Sequence, residues 1–245
     1  MKAYSKVNLI LKVWPKTKGD VKHRIHSVFC LYKHLYDEIT IKIAPQTTVT
    51  CEFHQQECKI DKTTTLRAIK FLSNKVNEPI HLDIHIIKNI PIMSGLGGSS
   101  TDVAAIMNWI IRKWHIRLDK KDLKDIAINI GSDIPFFLSG INIAEVSGYG
   151  EIVNVFKRKI PKFKPIITNI PISTQDVYKA FDKLKKHPKW DFQNQYKQLM
   201  HGEVESLNVL QPTAIILKPI LKWWFKKSNK RFLSGTGGSI IEIIR

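Results

Sequence analysis

Apolar and polar residues follow two different periods along this chain. They alternate, imperfectly in residues 4–13 and cleanly in residues 81–87, which predicts two half-buried strands. Apolar residues recur at helical spacing in residues 63–76, 101–114 and 119–130, which predicts three helices. The first half of the chain is therefore expected to mix strands and helices.

Shorter runs predict the other elements. β-like runs occur at residues 26–32, 37–43, 166–170 and 240–244, and residues 141–155 are predicted to form a strand, a glycine turn and a second strand. Helix-like runs occur at residues 174–184, 193–201 and 212–228. Residues 131–140 are predicted as a loop that leads into a short apolar segment.

A domain boundary is predicted at residues 157–165. This stretch, KRKIPKFKP, is basic, polar and interrupted by prolines. We expect an α+β fold with two compact lobes, an N-terminal domain of residues 1–156 and a C-terminal domain of residues 157–245.

The stretch PIMSGLGGSS, residues 91–100, lies between a predicted strand and a predicted helix. Glycines let the backbone approach an anion closely, and the start of a helix offers unpaired N–H groups. The hydroxyls of Ser99, Ser100 and Thr101 add donors. No lysine follows the glycines, so the loop is neither a Walker loop nor a Rossmann fingerprint. A plain tight connection is the alternative, but this density of glycines and hydroxyls favours a phosphate site.

Three further segments carry candidate chemistry. Lys6 and Asn8 are two residues apart in a predicted strand, so they share one face, where they need a partner or a cleft. Asp133 stands in the loop GSDIP, where a turn or cap role is the simpler alternative. The segment SGTGG, residues 234–238, is a second glycine loop that suits a hairpin turn as well as a ligand contact.

Composition limits the class of protein. The chain has 245 residues, and its 43% hydrophobic residues are enough for a folded core. No apolar run approaches the roughly 20 residues that span a bilayer. The net charge of +18 suggests nucleic acid, and Trp223, Trp224 and Phe225 beside lysines fit a basic RNA-binding protein. Scattered lysines from a compositional bias are the favoured explanation of the charge, because a basic face alone is not a nucleic-acid-binding motif.

The cysteines and the N-terminus bear on location. Cys30, Cys51 and Cys58 are an odd number without a CxxC spacing, which predicts reduced thiols. Lysines interrupt the apolar stretch in residues 1–14, which is wrong for a signal peptide. Together these features predict a cytoplasmic protein.

Taken in order, four motifs resemble those of the galactokinase/homoserine kinase/mevalonate kinase/phosphomevalonate kinase superfamily. They are KVNL at residues 6–9, P91 with GLGGSSTD at residues 95–102, GSDIP at residues 131–135 and SGTG at residues 234–237. Within that superfamily, the segments at residues 23–32, 37–41 and 144–151 are similar to those of the 4-diphosphocytidyl-2-C-methyl-D-erythritol kinase family.

The resemblance implies a two-lobed small-molecule kinase fold, with an S5-like N-terminal domain and a shortened, ferredoxin-like C-terminal domain. It implies transfer of the γ-phosphate of ATP to the 2-hydroxyl of 4-diphosphocytidyl-2-C-methyl-D-erythritol, in the methylerythritol phosphate pathway of isoprenoid biosynthesis. Mg²⁺ would accompany ATP, held mainly by phosphate oxygens and water. The alternatives are a homoserine or mevalonate type of kinase of the same superfamily, or the RNA-binding protein.

The resemblance also implies residue roles. Asp133 would be the general base, Lys6 would lower the pKa of the substrate hydroxyl, and Asn8 would hold both in place. His23 would contact the cytosine and Tyr178 would stack on it, while Gly235 and Thr236 would lie on the substrate side. The ATP-binding residues would be Pro91, Ser94, Gly95, Leu96, Gly97, Gly98, Ser99, Ser100 and Thr101.

The chain departs from the family pattern in two segments. Val21 and Lys22 stand where relatives have Gly-Tyr before the histidine, which removes one stacking ring and offers Lys22 to the diphosphate. Ser99 replaces the third glycine of the loop. As partners we expect ATP and a cytidine diphosphate sugar-alcohol, without nucleic acid or membrane, for a monomer or homodimer with no protein metal ligands.

Overall fold

The computed structural model describes residues 1–53, 56–57, 62–184, 187 and 190–244. The strands are β1 (Lys2–Val13), β2 (Ile25–Ile43), β3 (Thr48–Phe53), β4 (Gln56–Glu57), β5 (Leu82–Lys88), β6 (Ile143–Gly148), β7 (Ile152–Val155), β8 (Phe163–Ile166), β9 (Arg231–Leu233) and β10 (Ile240–Ile243). The helices are α1 (Thr63–Val76), α2 (Gly98–Lys113), α3 (Lys120–Asn129), α4 (Ile134–Ser139), α5 (Thr174–Asp182), α6 (Phe192–His201), α7 (Gln211–Leu217) and α8 (Leu221–Lys226).

The strands form two sheets. The larger has the order β4-β3-β5-β2-β6-β7, with β1 paired to β2, and its β3–β5 pair is parallel while the other pairs are antiparallel. The smaller is an antiparallel sheet with the order β8-β10-β9. This mixture confirms the predicted α+β class. The larger sheet ends at β7 and the smaller begins at β8; the domain boundary at residue 156 stays a prediction.

Buried and exposed side chains alternate along β5, and the buried ones face the main hydrophobic core. Leu82, Ile84 and Ile86 point inward and are at most 1% exposed, so the strand predicted at residues 81–87 is confirmed. They pack against apolar residues of α2 such as Met107 and Ile110. Burial of such a face is the main force that fixes a helix on a sheet. The start of α2 is thereby held at one end of the larger sheet, where the first glycine loop lies.

The structure differs from the sequence predictions in four places. The runs at residues 26–32 and 37–43 belong to one strand, β2, because β1 pairs with it on both sides of a bulge at residues 33–35. The predicted helix at residues 212–228 is two helices, since Pro219 cannot continue the first one. The strand predicted at residues 166–170 is β8, which lies earlier, in register with β10.

The fourth difference is α4, which forms in a segment that was predicted as a loop. Pro135 lies in its first turn, where the missing N–H costs no hydrogen bond. Gly140 ends it in the left-handed conformation, φ 69°, which glycine adopts without strain. These six helical residues are too few to show a helical period, so the pattern of the sequence did not reveal them.

The cysteines differ in state. Cys30 is free and buried, as predicted, and burial raises the pKa of its thiol to about 11. Cys51 is disulfide-bonded, so the prediction of a reduced thiol is wrong there. Cys58 lies outside the described residues. Within the described part of the chain, none of the helices has the length and apolar character needed to cross a membrane.

Candidate active site

A cleft of about 830 Å³ brings most of the predicted site residues together. It is lined by Lys6, Asn8, His23, Pro91, Ser94, Gly95, Gly97, Gly98, Ser99, Ser100, Asp133, Tyr178, Gly235 and Thr236. Leu96 and Thr101 do not line it. The side chain of Leu96 is buried in the core, and Thr101 borders a separate cavity of about 740 Å³ between β1 and α2.

The first glycine loop opens the N-terminus of α2 toward this cleft. Gly95 and Gly97 have φ of +76° and +75°, a conformation in which a side chain would be strained. Gly97 is the N-cap of α2, and no side chain caps the helix. The first N–H groups of α2 are therefore available to an anion, and the helix dipole favours negative charge at this point.

The second glycine loop packs directly on the first. A Cβ on Gly95 would lie 2.4 Å from the carbonyl oxygen of Ser234 and 2.5 Å from that of Gly237. A Cβ on Gly235 would lie 2.9 Å from the carbonyl oxygen of Gly95 and 3.2 Å from Oδ1 of Asn8. The loop is thus the turn between β9 and β10, as one alternative predicted, and its Gly235 and Thr236 line the cleft; its contact with a ligand stays a prediction.

Lys6 and Asn8 point from β1 into the cleft, as their spacing predicted. Lys6 Nζ donates to Asn8 Oδ1 at 2.6 Å and pairs with Asp133 Oδ2 at 3.2 Å. The Asn8 amide donates in turn to Ser27 Oγ at 3.0 Å, which fixes its orientation. The side chain of Lys6 is 5% exposed and that of Asp133 is 26% exposed. The charge of Lys6 is therefore paired and buried, while the carboxylate faces the space of the cleft.

The position of Asp133 argues against a role as a simple helix cap. It precedes α4 and occupies the N-cap position, yet its side chain makes no capping hydrogen bond. Its carboxylate is directed to Lys6 instead. A carboxylate that is available to the cleft and held by one lysine has the arrangement of a proton acceptor.

His23 and Tyr178 form the other end of the cleft. Their rings lie 4.7 Å apart with a tilt of 42°, and His23 Nε2 lies 2.6 Å from Asp182 Oδ1. Desolvation raises the pKa of the Tyr178 hydroxyl, and the nearby charge of Asp133 adds to the effect. Thr236 reaches this end too, through a 2.9 Å contact between its hydroxyl and that of Thr174.

Sequence reasoning missed a second lysine below the first glycine loop. Lys88 Nζ donates to Asp102 Oδ2 at 2.6 Å and to Asp37. Among the described residues, Asp102 Oδ1 has no hydrogen-bond partner, and desolvation raises the pKa of Asp102 against the opposing effect of Lys88. One signal was present in the sequence, because Lys88 continues the inward alternation of β5, where a lysine must find a partner.

Asn208 was also missed. It is 2% exposed, and its amide donates to the carbonyl oxygens of Leu233 and Gly235, each at 2.8 Å. Its own Oδ1 accepts from the backbone N–H of Leu210. The side chain therefore uses its hydrogen-bonding groups to hold the second glycine loop in the cleft. Nothing in the local sequence distinguishes it from other asparagines.

Comparison with known proteins finds a matching family and similar relatives over the full length of the chain. Residues 63–141 match the family described as "GHMP kinases N terminal domain". A 4-diphosphocytidyl-2-C-methyl-D-erythritol kinase of Campylobacter jejuni subsp. doylei is 33% identical over 265 residues, covering 100% of both chains. The enzyme of that name from Ureaplasma parvum serovar 3 is 29% identical over 252 residues, covering 99% of this chain and 94% of the relative.

Solved structures agree on the fold. A crystal structure of 4-(cytidine 5'-diphospho)-2C-methyl-D-erythritol kinase is 24% identical and has a TM-score of 0.73, with 100% of this chain and 90% of that chain covered. The Methanococcus jannaschii mevalonate kinase is 16% identical and has a TM-score of 0.55, with 100% and 90% covered. The predicted two-lobed kinase fold is thereby confirmed.

Proposed function

Because the chain belongs to the 4-diphosphocytidyl-2-C-methyl-D-erythritol kinase family, we propose that it transfers the γ-phosphate of ATP to the 2-hydroxyl of 4-diphosphocytidyl-2-C-methyl-D-erythritol. This reaction belongs to the non-mevalonate route to isoprenoid precursors. The observation that carries the proposal is the Lys6–Asp133 pair at 3.2 Å, in the cleft that also contains the uncapped start of α2.

The start of α2 is the proposed site of the ATP phosphates. Its free N–H groups and its dipole stabilise the negative charge of the phosphates, and the side chains of Lys6 and Lys88 lie beside its first turn. The hydroxyls of Ser99 and Ser100 line the same wall and add donors. Phosphoryl transfer depends chiefly on such charge stabilisation and on alignment of the attacking oxygen.

Asp133 is the proposed base. The substrate hydroxyl attacks the γ-phosphorus, the bond to the β-phosphate oxygen breaks, and the hydroxyl proton passes to the Asp133 carboxylate. Lys6 lies 3.2 Å from that carboxylate and offsets the negative charge that develops on the attacking oxygen. Asn8 keeps the ammonium of Lys6 in place through the 2.6 Å hydrogen bond.

The base of the nucleotide substrate is proposed to lie between the second glycine loop and α5. Tyr178 offers a ring for stacking on cytosine, which is worth about 1–3 kcal/mol per base. His23 lies beside that ring, with one nitrogen held by Asp182. Its second nitrogen is then oriented for a hydrogen bond to the cytosine.

Mg²⁺ is the proposed companion of ATP. Among the described residues, no group of three or more His, Cys, Asp or Glu side chains could hold a metal ion. The donors along the first glycine loop are the hydroxyls of Ser99 and Ser100, which suit an ion bound mainly by phosphate oxygens and water. When bound, the ion neutralises charge on the transferred phosphate.

Other functions have less support. Homoserine and mevalonate kinases share the fold, but nothing in their substrates calls for the ring pair of His23 and Tyr178. For RNA binding, the aromatic cluster on α8 is partly accessible, with Trp223 51% exposed, but the family relationship favours the kinase. We propose a cytoplasmic setting for this kinase, because ATP and its nucleotide substrate are cytoplasmic metabolites.

An ADP-release assay tests the proposal directly. Purified protein is given ATP and Mg²⁺ with 4-diphosphocytidyl-2-C-methyl-D-erythritol, homoserine or mevalonate in separate reactions. We expect ADP only with the first substrate, and competitive inhibition by CDP. Asp133→Asn should lower kcat by about 10²–10⁴-fold, the usual contribution of a general base. Asp83→Asn, an exposed change on β5, is the matched control.

Two results would contradict the proposal. ADP release with homoserine or mevalonate, and none with the cytidine substrate, would reject the substrate. Full turnover by Asp133→Asn would reject the base while leaving the substrate assignment intact.

A further inference from the structure

The second cavity, of about 740 Å³, lies between the start of β1 and one face of α2. That face carries Thr101, Ala105, Asn108 and Arg112, which follow one another at intervals of three or four residues. Since a helix rises by about 1.5 Å per residue, this face is about 16 Å long. The volume and the length suit one small molecule.

Phe137 separates this cavity from the cleft of Lys6 and Asp133. Its ring lines the cavity and also reaches the first glycine loop, because a Cβ on Gly97 would lie 3.1 Å from Phe137 Cζ. Among the described residues, none lines both spaces. An occupant of the cavity would therefore be a different molecule from the proposed substrates.

The walls of the cavity are largely apolar. The rings of Tyr4, Trp109 and Phe137 line it, and all three side chains are half-buried, so part of each ring is accessible. Ala105 adds only a methyl group to the same wall. An apolar or aromatic ligand body would cover these surfaces, and burial of apolar surface is the usual source of binding energy in such a cavity.

Two polar side chains of α2 lack partners on this wall. Thr101 is only 3% exposed, and within the described part of the chain neither its hydroxyl nor the amide of Asn108 makes a hydrogen bond. A buried polar group without a partner is costly, and most such groups in proteins are satisfied. These two groups therefore favour an occupant that has hydrogen-bonding atoms.

The charge at the cavity has one sign. Lys2, Arg112 and Lys113 line it, no Asp or Glu of the described ranges does, and none of the three cations forms an ion pair with a described carboxylate. The ammonium of Lys2 lies 4.2 Å from the centroid of the Tyr36 ring. The helix dipole explains cations in the last turn of α2, but it does not explain Lys2, which lies on β1.

We propose that this cavity is a second ligand site and that it binds a small amphipathic anion. The apolar body of the ligand lies along α2, and its anionic group pairs with Lys2, Arg112 and Lys113. The site is separate from the phosphate-transfer reaction, so the proposal does not depend on the proposed function. The simpler alternatives are a cavity that holds only water and cations that only complement the dipole of α2.

Anilinonaphthalene sulfonate is the probe, because it combines an aromatic body with one sulfonate. Phenylnaphthylamine has the same rings without the sulfonate, so it reports what the charge contributes. Both are titrated into the full-length protein by fluorescence, with and without an excess of ATP and CDP. Thermal melting of each variant shows that the protein under test is folded.

The first variant combines Arg112→Gln with Lys113→Gln, two exposed changes that are not expected to affect folding. Its matched control combines Lys124→Gln with Lys157→Gln, which removes the same charge from exposed positions elsewhere. We expect the wild type and the control to bind one sulfonate per chain with equal affinity. The first variant should bind it about tenfold more weakly or worse, as expected for the loss of hydrogen bonds to a charged group. The neutral probe should not distinguish the three proteins.

The second variant, Ala105→Trp, fills the cavity, and Ala44→Trp, a half-buried position in a loop outside it, is the matched control. We expect Ala105→Trp to lose the binding of both probes and Ala44→Trp to keep it. Three results overturn the proposal. They are the absence of binding to the wild type, binding that survives in both test variants or disappears with excess ATP and CDP, and a dimer in ultracentrifugation that dissociates in the first variant, because a second copy would then cover the cavity.

Discussion

Two lysine–carboxylate centres flank the first glycine loop, and they differ in the exposure of their acids. The lysines are alike, since the side chains of Lys6 and Lys88 are 5% and 4% exposed. The Asp133 side chain is 26% exposed, whereas those of Asp37 and Asp102 are 0% and 6% exposed. Lys88 and Asp102 line the same cleft, but the Lys6 centre presents the more exposed carboxylate to it.

The Lys88 centre serves the backbone instead. Asp37 Oδ1 accepts from the N–H groups of Asn89 and Ile90, at 2.6 and 2.8 Å, where β5 ends and the first glycine loop begins. The ammonium of Lys88 lies 3.3 Å from where a Cβ of Gly98 would be. This centre joins β2, β5 and the start of α2, so it supports the loop. The exposure of the acid therefore distinguishes the ion pair that we propose to be reactive from the one that supports the loop.

The largest effect is expected for Asp37→Asn. The change leaves Lys88 with one carboxylate partner. It also replaces one acceptor oxygen of residue 37 by an amide NH₂ group, which cannot accept a hydrogen bond from Lys88 or from the backbone N–H groups. Breaking one partner of a buried ion pair usually costs about 3–5 kcal/mol. Urea denaturation should show a loss of this size, with little loss for the exposed control Glu205→Gln. An unchanged free energy of unfolding in Asp37→Asn would contradict a stabilising role for the Lys88 centre.

A smaller effect, on rate, is expected for Asn8→Ala. Lys6 then keeps Asp133 and loses its second partner, so its ammonium is held less firmly. We expect kcat to fall by about tenfold, equivalent to about 1.4 kcal/mol in the barrier. The loss of stability should be about 1 kcal/mol, the usual net value of a hydrogen bond. Wild-type kcat would show that Asn8 belongs with the supporting residues.

The smallest effect concerns the pH dependence of stability. Burial raises the pKa of Asp102, so the folded state binds its proton more tightly than the unfolded state does. The stabilising contribution is therefore complete below the pKa of the unfolded chain and is lost as the pH rises through the raised pKa of the folded state. Asp102→Asn cannot titrate, so its unfolding free energy should vary less over this range. Asp133→Asn, which changes a more exposed carboxylate, is the control. An equal pH dependence of the unfolding free energy in the wild type, Asp102→Asn and Asp133→Asn would contradict the burial argument.

Sequence reasoning found the part of the site that depends on local patterns. The spacing of Lys6 and Asn8 placed both on one face of a strand, and glycines before a helix predicted the open start of α2. These features are set by backbone geometry within a few residues. The roles assigned to individual site residues stay predictions.

The missed part depends on contacts between distant residues. Lys88 and Asp37 are 51 positions apart, and only the pairing of β2 with β5 brings them together. Asn208 reaches the second glycine loop across 27 positions. Periodicity places a residue on a face but does not name its partner, which is why the Lys88 centre could not be predicted.

The proposal that the Lys6 centre acts in the reaction while the Lys88 centre stabilises the fold is tested most directly by one comparison. In it, kcat and the unfolding free energy are measured for Lys6→Met and Lys88→Met under identical conditions. We expect Lys6→Met to lose at least about 10²-fold in kcat, with the KM for ATP nearly unchanged, because the proposed role of Lys6 is in the transition state. Lys88→Met should lose about 3–5 kcal/mol of stability and keep most of its activity per folded molecule. The reverse pattern, with Lys88→Met inactive while folded and Lys6→Met active, would contradict the account.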